Sequence, residues 1–524
     1  MKALGRLLAD EGLREIRLGG LVASAAPVLF SALTEKCPEV LTHPYMFIMD
    51  DEEQAGYFYH DLTQILGTTQ VCFLPSSFRR AVKYGQRDAG NEILRTDALS
   101  ALQRGGNLFV VTYPEALTEL VVSKKDLQDH TIALAVGEMQ DIRTLQKRLM
   151  ELGFRRTDYV YEPGQFAVRG SLVDVYSFSH EHPFRIDFFG DEIDSIRTFD
   201  VQSQLSLERL KEVRIVPELA QDRDGRICIL DFLPESTRLV MHDRAFLCDE
   251  VDRIWQEGFS LSARIVEMEE GSNGTDGSTA LVREHVLTEP DKFRHRLLDF
   301  RTILLDTAAS GQANLSFNIS PQPIFHKNFN LLTRELLRYQ HEDYDIYILA
   351  DSTKQTDRLE SIFHDMQLGI RFTPVEKTLH EGFVDHDRRL VLFTDHQIFD
   401  RFHKYNLRSE HARRGKMALT LKEIQQFQLG DYVVHIDHGV GRFGGLITIP
   451  EGERMVEKIR INYDGGGVIY VSIHALHKVS KYKSKEGEAP RINKLGTGAW
   501  EKLKERTKTK IKDIARDLIK LYSQ

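Results

Sequence analysis

A glycine-containing turn early in the chain lies where many α/β proteins bind nucleotide phosphates. Residues 20–27 read GLVASAAP, between a strand pattern and a helical pattern. A P-loop needs a lysine that reaches the β- and γ-phosphates and a hydroxyl side chain that binds Mg²⁺. Here Gly20 is followed by Ala25, Ala26 and Pro27. We therefore expect a degenerate loop that only starts a helix, with no nucleotide hydrolysis at this position.

Two other segments imitate nucleotide sites. Residues 46–53, MFIMDDEE, resemble a Walker B strand, but acidic residues in a first helical turn are an ordinary response to the helix dipole. Residues 439–444, GVGRFG, match a dinucleotide fingerprint, which requires a helix to begin at the loop. The β-branched stretch GLITI and Pro450 follow instead. These glycines are typical of turns and bulges in a small β-barrel.

Metal and disulfide patterns are weak. His435 and His438 have no third ligand at a metal-binding spacing, so we interpret them as polar residues at strand ends. The four cysteines are scattered without CxxC spacing, which favours buried thiols in a reducing cytoplasm: Cys37, Cys72, Cys228 and Cys248.

The segment Phe184–Phe189, FRIDFF, alternates as a strand with one core face. Phe184, Ile186 and Phe188 share that face, which places Arg185 and Phe189 on the opposite, solvated face. An aromatic beside an arginine is the composition of a protein-binding hot spot. A face covered by a neighbouring domain remains the alternative. We expect residues 171–176 to pair with this strand as a hairpin.

Residues 429–482 predict about five short strands in a small barrel. Ile447 and Ile449 share one face of a strand that we expect to end at Pro450. Because the opposite face is also apolar in part, one face must be covered, by the tail helix or by another protein. An exposed strand edge accepts a partner strand by β-augmentation. Lys458 and Arg460 are candidates for a polar rim.

The charge is unevenly distributed along the chain. The net charge is −9, but residues 478–524 carry fourteen Lys/Arg against six Asp/Glu, which leaves −17 for the remainder. The tail also contains an amphipathic helix pattern from Trp500 to Leu521 that runs on without a stop signal. We favour a solvated helix face over a DNA-binding surface for this tail, and we expect only weak DNA binding.

Length and composition predict a soluble multidomain protein. At 524 residues, with 41% hydrophobic and 28% charged residues, the chain exceeds one core. No apolar run reaches about 18 residues, so we expect no membrane span. The fold class we predict is multidomain α/β, with a parallel-sheet module, a mixed α+β insert, a second small α/β domain, and an SH3/Tudor-like barrel followed by an amphipathic helix.

Several motifs together resemble one bacterial family. Residues 164–176 with 185–200 are similar to the module shared by the excision-repair protein UvrB and the transcription-repair coupling factors. Residues 431–443, DYVVHIDHGVGRF, resemble the polymerase-interaction domain of the coupling factors and of CarD regulators. Residues 495–500 and 513–522 resemble the helix that leads into the family's motor. The order of these pieces spans nearly the whole chain.

The resemblance implies the N-terminal half of a coupling factor, without its ATP-driven DNA translocase. The implied UvrB-like module comprises a degenerate α/β domain (1–130), a UvrA-binding domain (131–217) and a return to the first domain (218–327). A small α/β domain of undefined role (328–410) and a linker (411–427) follow. The chain then continues with the polymerase-interaction barrel (428–482) and a basic linker with a helix (483–524).

The resemblance also implies partners and sites. Matching family positions contact UvrA at Arg169, Arg185 and Phe189, and contact the β subunit of RNA polymerase at Ile449. It implies a bacterial cytoplasmic adaptor with no cofactor in this half, ATP and Mg²⁺ belonging to the missing motor, and an intramolecular contact with the missing half. A UvrB- or helicase-like NTPase and a DNA-binding protein that uses the basic tail are the alternatives.

Overall fold

The computed structural model describes most of the chain up to residue 401 and parts of the C-terminal region. The described residues are 2–77, 89–201, 204–219, 225–257, 286–306, 314–326, 328–365, 369–401, 428–435, 437–451, 454–472, 479–482, 490, 492–495 and 500. The predicted linker 411–427 and nearly all of the predicted tail helix lie outside these residues. Residues 270–278, EGSNGTDGS, whose composition predicts a loop, also lie outside them.

Helices and strands alternate in the first quarter of the chain. They are α1 Lys2–Ala9, β1 Glu15–Gly19, α2 Ala25–Lys36, β2 Tyr45–Ile48, α3 Glu52–Leu66, β3 Val71–Phe73, α4 Ala89–Arg104, β4 Phe109–Thr112, α5 Pro114–Thr118, α6 Lys124–Asp129 and β5 Ile132–Ala135.

The next segment contains one helix and mostly strands. Its elements are α7 Ile142–Glu151, β6 Arg155–Arg156, β7 Gln165–Arg169, β8 Leu172–Val175, β9 Phe184–Phe189, β10 Glu192–Phe199, β11 Ser206–Leu210 and β12 Glu212–Ile215.

A mixed pattern follows, and the last described region is all strands. These elements are α8 Ile229–Phe232, β13 Arg238–Met241, α9 Arg244–Glu257, α10 Pro290–Leu297, β14 Arg301–Asp306, β15 Leu315–Ser316, β16 Ile319–Pro321, α11 Phe329–His341, β17 Asp345–Leu349, α12 Thr353–Asp365, β18 Thr373–Val375, β19 Phe383–Asp385, β20 Leu390–Thr394, α13 Asp395–Ile398, β21 Tyr432–His435, β22 Gly439–Glu451, β23 Arg454–Asn462, β24 Val468–Ser472 and β25 Val479–Lys481.

The chain divides into two compact units. The first unit comprises residues 1–133, 178–181 and 214–410. The second comprises residues 134–177, 182–213 and 411–524. Each unit contains two of the larger sheets, so the chain has several separate cores, as its length predicts.

The first unit contains a seven-stranded parallel sheet in the order β15-β1-β14-β13-β2-β4-β3. The inner strand β2, between β13 and β4, is buried along its whole length. Phe47 packs into the core on one face, and Met46 and Ile48 pack into the core on the other. A sheet covered by helices on both faces requires such continuous apolar strands. The predicted parallel α/β module is therefore confirmed.

A five-stranded mixed sheet, in the order β16-β19-β20-β17-β18, forms the second α/β layer of this unit. Strands β17 and β20 are parallel, and they bracket α12 as the sequence predicts. The sheet begins at Ile319 in β16, upstream of the boundary that we place at residue 328. The domain boundaries themselves stay predictions.

The second unit contains two mainly antiparallel sheets. One has six strands in the order β11-β10-β9-β8-β7-β6, and the predicted β8–β9 hairpin is present in it. The other has five strands in the order β24-β23-β22-β21-β25. Its core is formed by buried apolar residues, among them Val433, Phe443, Ile459 and Ile461.

The prediction that the strand of Ile449 ends at Pro450 is wrong. Strand β22 has 13 residues and continues to Glu451, which pairs with Arg454 of β23. The glycines at 444 and 445 lie inside this strand, where the register shifts between Phe443 and Leu446. Gly445 has a φ of 96°, which a side chain would disfavour, so the glycines bend one long strand and do not separate two short ones.

Candidate protein-docking sites

Strand β9 carries the predicted aromatic hot spot. Burial alternates along it, and Phe184, Ile186 and Phe188 are buried. Phe189, at the end of the strand, is 81% exposed. Exposure of such a large apolar side chain to water is unfavourable, and a binding partner that buries it removes this cost in free energy. Phe189 is therefore a candidate contact residue.

Arg185 lies on the same face as Phe189 but is mostly buried. Its side chain is 13% exposed, and its guanidinium contacts the two oxygens of Asp174 at 2.8 and 3.0 Å. It also donates to the backbone and side-chain oxygens of Gln204 and stacks 4.2 Å from the Phe199 ring centroid. The expectation of a solvated face at Arg185 is therefore wrong, because Phe199 and Gln204 cover its guanidinium.

Arg169, at the end of β7, contacts the same carboxylate. It forms an ion pair with Asp174, and its guanidinium lies 4.8 Å from the Tyr159 ring centroid. The Arg169 side chain is 31% exposed, whereas that of Asp174 is 1% exposed. The structure thus brings Arg169 and Arg185 together through one buried carboxylate, and only Phe189 of the three predicted residues is fully presented to solvent.

Asp174 and Gln204 were missed by the sequence analysis. Asp174 pairs with Arg185 in the β8–β9 register, so extending the predicted hairpin by register would have found it. Gln204 carries no such signal, because it reaches Arg185 from a loop residue with a φ of 59°.

The second candidate site is the far half of β22. Strand β21 pairs with β22 only from Gly439 to Arg442, whereas β23 pairs with β22 as far as Glu451. Among the described residues, the stretch 446–451 therefore has a neighbouring strand on one side alone. An open strand edge of this kind offers backbone groups to a partner strand.

Register assigns the predicted side chains of this site to one face. Ile447 is opposite Lys458, and Ile449 is opposite Val456. One residue away along each strand, Ile459 belongs to the core and the partly buried Leu446 packs against it. Since alternate residues of a strand lie on opposite faces, Ile447 shares the face of Lys458, away from the core, and the register assigns position 449 to the same face.

Arg460 follows Lys458 on that outer face. It is exposed, and its Nε donates to the side-chain oxygen of Asn462 at 3.0 Å. The predicted polar rim and the two isoleucines thus belong to one face of the β22–β23 arm.

The degenerate nucleotide loop is a strand–turn–helix. Gly20 follows β1 with a φ of 78°, and a Cβ there would lie 2.1 Å from the Phe317 carbonyl oxygen. The residues Ala25, Ala26 and Pro27 form the buried first turn of α2. Gly20 is therefore required by close packing of the backbone, without any phosphate.

Backbone N–H groups from residues 380 and 381 form hydrogen bonds beside the N-terminus of α2. The backbone N–H of Glu381 donates to the Ser24 hydroxyl at 2.9 Å, and that of His380 donates to Asp61 at 2.7 Å. The His380 ring stacks on Tyr57 with centroids 3.5 Å apart. Burial raises the pKa of Asp61 to about 7.

A cleft of about 680 Å³ adjoins this contact. Among the described residues that line it, Asp51, Glu53, Asp61 and Glu381 supply four carboxylates, and Arg401 is the one arginine. Arg401 forms an ion pair with Asp395. Acidic side chains thus outnumber the single arginine, and those that are ionised repel phosphates, so this cleft is poorly suited to a nucleotide.

Metal ligands do not cluster in the described part of the chain, where no group of three His, Cys, Asp or Glu side chains is arranged to hold an ion. His435 and His438 have ring centroids 4.7 Å apart. Cys37, Cys72 and Cys228 are buried thiols, and Cys248 is partly exposed.

None of the described helices has the length and apolarity that a membrane crossing requires.

Two segments match known domain families. Residues 132–220 match the UvrB interaction domain, which includes the six-stranded sheet and Phe189. Residues 427–483 match the CarD-like/TRCF RID domain, which includes the β22–β23 arm.

Curated relatives extend the similarity along the chain. The transcription-repair-coupling factor of Bacillus subtilis (strain 168) is 26% identical over 98% of this chain and 49% of its own length. Those of Staphylococcus haemolyticus and Staphylococcus epidermidis are 24% and 25% identical, each over 91% of this chain and 46% of their own length. The chain thus spans about half the length of these relatives. It is a relative of the transcription-repair-coupling factors over nearly its whole length, with a UvrB interaction domain ahead of a CarD-like/TRCF RID domain.

Proposed function

We propose that this chain is the adaptor region of a transcription-coupled repair factor, which binds UvrA through the sheet of Phe189 and the β subunit of RNA polymerase through the β22–β23 arm. The observation that carries the proposal is the presence, in one chain, of a UvrB interaction domain and a CarD-like/TRCF RID domain on two separate sheets. An adaptor needs two such surfaces that work independently.

The geometry of each surface supports this role. Phe189 presents a large apolar side chain to solvent on a rigid strand, as binding hot spots do. The arm at 446–451 offers an open backbone edge with Ile447 and Ile449 on its outer face. We further propose that the five-stranded sheet closes as a small SH3/Tudor-like barrel, which would hold this arm in place.

The adaptor role requires no catalysis and no cofactor in this chain. Ala25, Ala26 and Pro27 lack the charge and hydroxyl of a phosphate site, and backbone groups of residues 380 and 381 bind beside them. These features support an adaptor over the alternative of an NTPase.

A bridging assay tests the proposal. UvrA is immobilised, the chain is added, and core RNA polymerase is passed over the surface, with polymerase binding followed by interferometry. We expect polymerase to be retained only when the chain is present. Retention that is independent of the chain, or a chain that binds neither partner, would contradict an adaptor function. ATP hydrolysis well above background would favour the enzyme alternative.

A further inference from the structure

Met139 lies beside the hairpin that carries Phe189. The backbone of residues 137–140 pairs with the start of β10 through three hydrogen bonds: Gly137 N–H to Ile193 O, Ile193 N–H to Glu138 O, and Gln140 N–H to Asp191 O, at 2.7–2.9 Å. This pairing places Met139 opposite Glu192. The position of Met139 is therefore fixed by the sheet itself.

Glu192 is also the partner of Phe189 across the β9–β10 turn. Residues directly opposite each other in antiparallel strands lie on the same face, with Cα atoms about 4.5–5.5 Å apart. Phe189, Glu192 and Met139 thus form a row on one face, and the two apolar residues are about 10 Å apart on this spacing. Phe189 is 81% exposed and Met139 is 69% exposed.

Carboxylates border these two apolar side chains. Asp191, Glu192 and Asp194 are all exposed. Within the described part of the chain, their side chains form neither an ion pair nor a hydrogen bond. The neighbouring acid Asp187, in contrast, is paired with Arg197 and Ser171. The row therefore combines apolar area with uncompensated negative charge.

We propose that Met139 is a second apolar anchor of the surface centred on Phe189, and that the UvrA segment bound there is apolar with a border of lysine or arginine side chains. This inference rests on the proposed function. Apolar anchors on a rigid sheet provide affinity because they enter the complex with little loss of conformational freedom. Unpaired carboxylates at the rim attract a basic partner and speed its approach.

Replacement of Met139 tests the anchor. Met139→Ala removes exposed apolar area without touching the core, so we expect the dissociation constant for UvrA to rise at least about fivefold, mainly through faster dissociation. Met139→Gln keeps the length of the side chain and should show a similar loss. Met150→Ala is the matched control, because Met150 is 53% exposed on helix α7 of the same unit. Its affinity for UvrA should not change.

Charge reversal tests the rim. Glu192→Lys should slow association with UvrA several-fold at low salt, and the difference from the parent chain should shrink as salt screens the charges. Association that is faster in Glu192→Lys would overturn the basic border and indicate an acidic one.

The outcomes separate this inference from the proposed function. If Phe189→Ala loses UvrA while Met139→Ala and Met139→Gln bind like the parent chain, the anchor is overturned and the adaptor function stands. If the parent chain does not bind UvrA, both fail together. Each variant is first checked for an unchanged thermal melting curve, which the exposure of Met139 and Glu192 leads us to expect.

Discussion

Arg185 and Asp174 form a two-point ion pair within the sheet of the UvrB interaction domain, at 2.8 and 3.0 Å. Asp174 is 1% exposed, and the ion pairs with Arg185 and Arg169 take the place of its contacts with water. Arg185 therefore acts as a positioning residue, which holds the β8–β9 hairpin and with it the strand that ends at Phe189.

Arg185→Ala should lower stability as well as partner binding. The substitution leaves the buried Asp174 with Arg169 alone, and breaking a buried ion pair typically costs about 3–5 kcal/mol. We expect a lower melting temperature for this unit, measured by calorimetry. Arg185→Lys keeps the charge but lacks the planar guanidinium fork, so its melting temperature should lie between those of the parent chain and Arg185→Ala. An unchanged melting temperature with lost UvrA binding would instead make Arg185 a direct contact.

Phe189→Ala should weaken UvrA binding without changing stability. Truncating a central aromatic anchor typically costs about 2 kcal/mol, or more than tenfold in affinity. The side chain is 81% exposed, so its removal leaves no cavity. Titration calorimetry gives the affinity, and Phe246→Ala, at a 40% exposed phenylalanine of the other unit, is the control. Equal affinity in both variants would remove Phe189 from the interface.

The sequence analysis predicted the elements of these sites better than their contacts. Period-two alternation identified the core face of β9, because burial follows the pleat of the strand. It did not reveal that Phe199 and Gln204 cover Arg185, since these contacts are set by tertiary packing and not by local pattern. Met139 was missed for a similar reason, because its strand pairing depends on three backbone bonds outside any regular strand pattern.

The proposed polymerase-binding arm, β22–β23, shows the same limit. Pro450 predicts the end of the strand that carries Ile449, yet β22 continues through it to Glu451. A bulge absorbs the extra residues at the glycines, and a proline is tolerated where the strand has a neighbour on one side only. The alternation of Ile447 and Ile449 was nevertheless sufficient to group them on one face, and the register agrees with that grouping.

Asp61 should make the first unit less stable as pH rises. Its folded-state pKa is raised to about 7 from an ordinary value of 3.8, so the folded state binds more protons between these values. The stabilisation is fully present below about pH 4 and is lost as pH rises through about 7. Asp61→Asn keeps an oxygen that accepts from His380 but does not titrate.

The measurement is the melting temperature at pH 5 and pH 8 for both proteins. From pH 5 to pH 8, we expect the melting temperature to fall further in the parent chain than in Asp61→Asn. Glu381, whose pKa burial also raises, titrates in both proteins, so the effect of its burial is common to both. Equal losses in the two proteins would show that Asp61 is ionised with little penalty in the folded state.

Ile449→Asp should abolish binding to the polymerase β subunit and leave UvrA binding intact. The register assigns position 449 to the face of the β22–β23 arm opposite the core position Ile459, and a charged side chain would have to lose its hydration when a partner strand binds there. Circular dichroism should therefore show an unchanged fold. Ile459→Asp is the comparison, because Ile459 is 0% exposed and its replacement should unfold the sheet. A folded Ile449→Asp variant that still binds the β subunit would exclude this face, and an unfolded one would place Ile449 in the core.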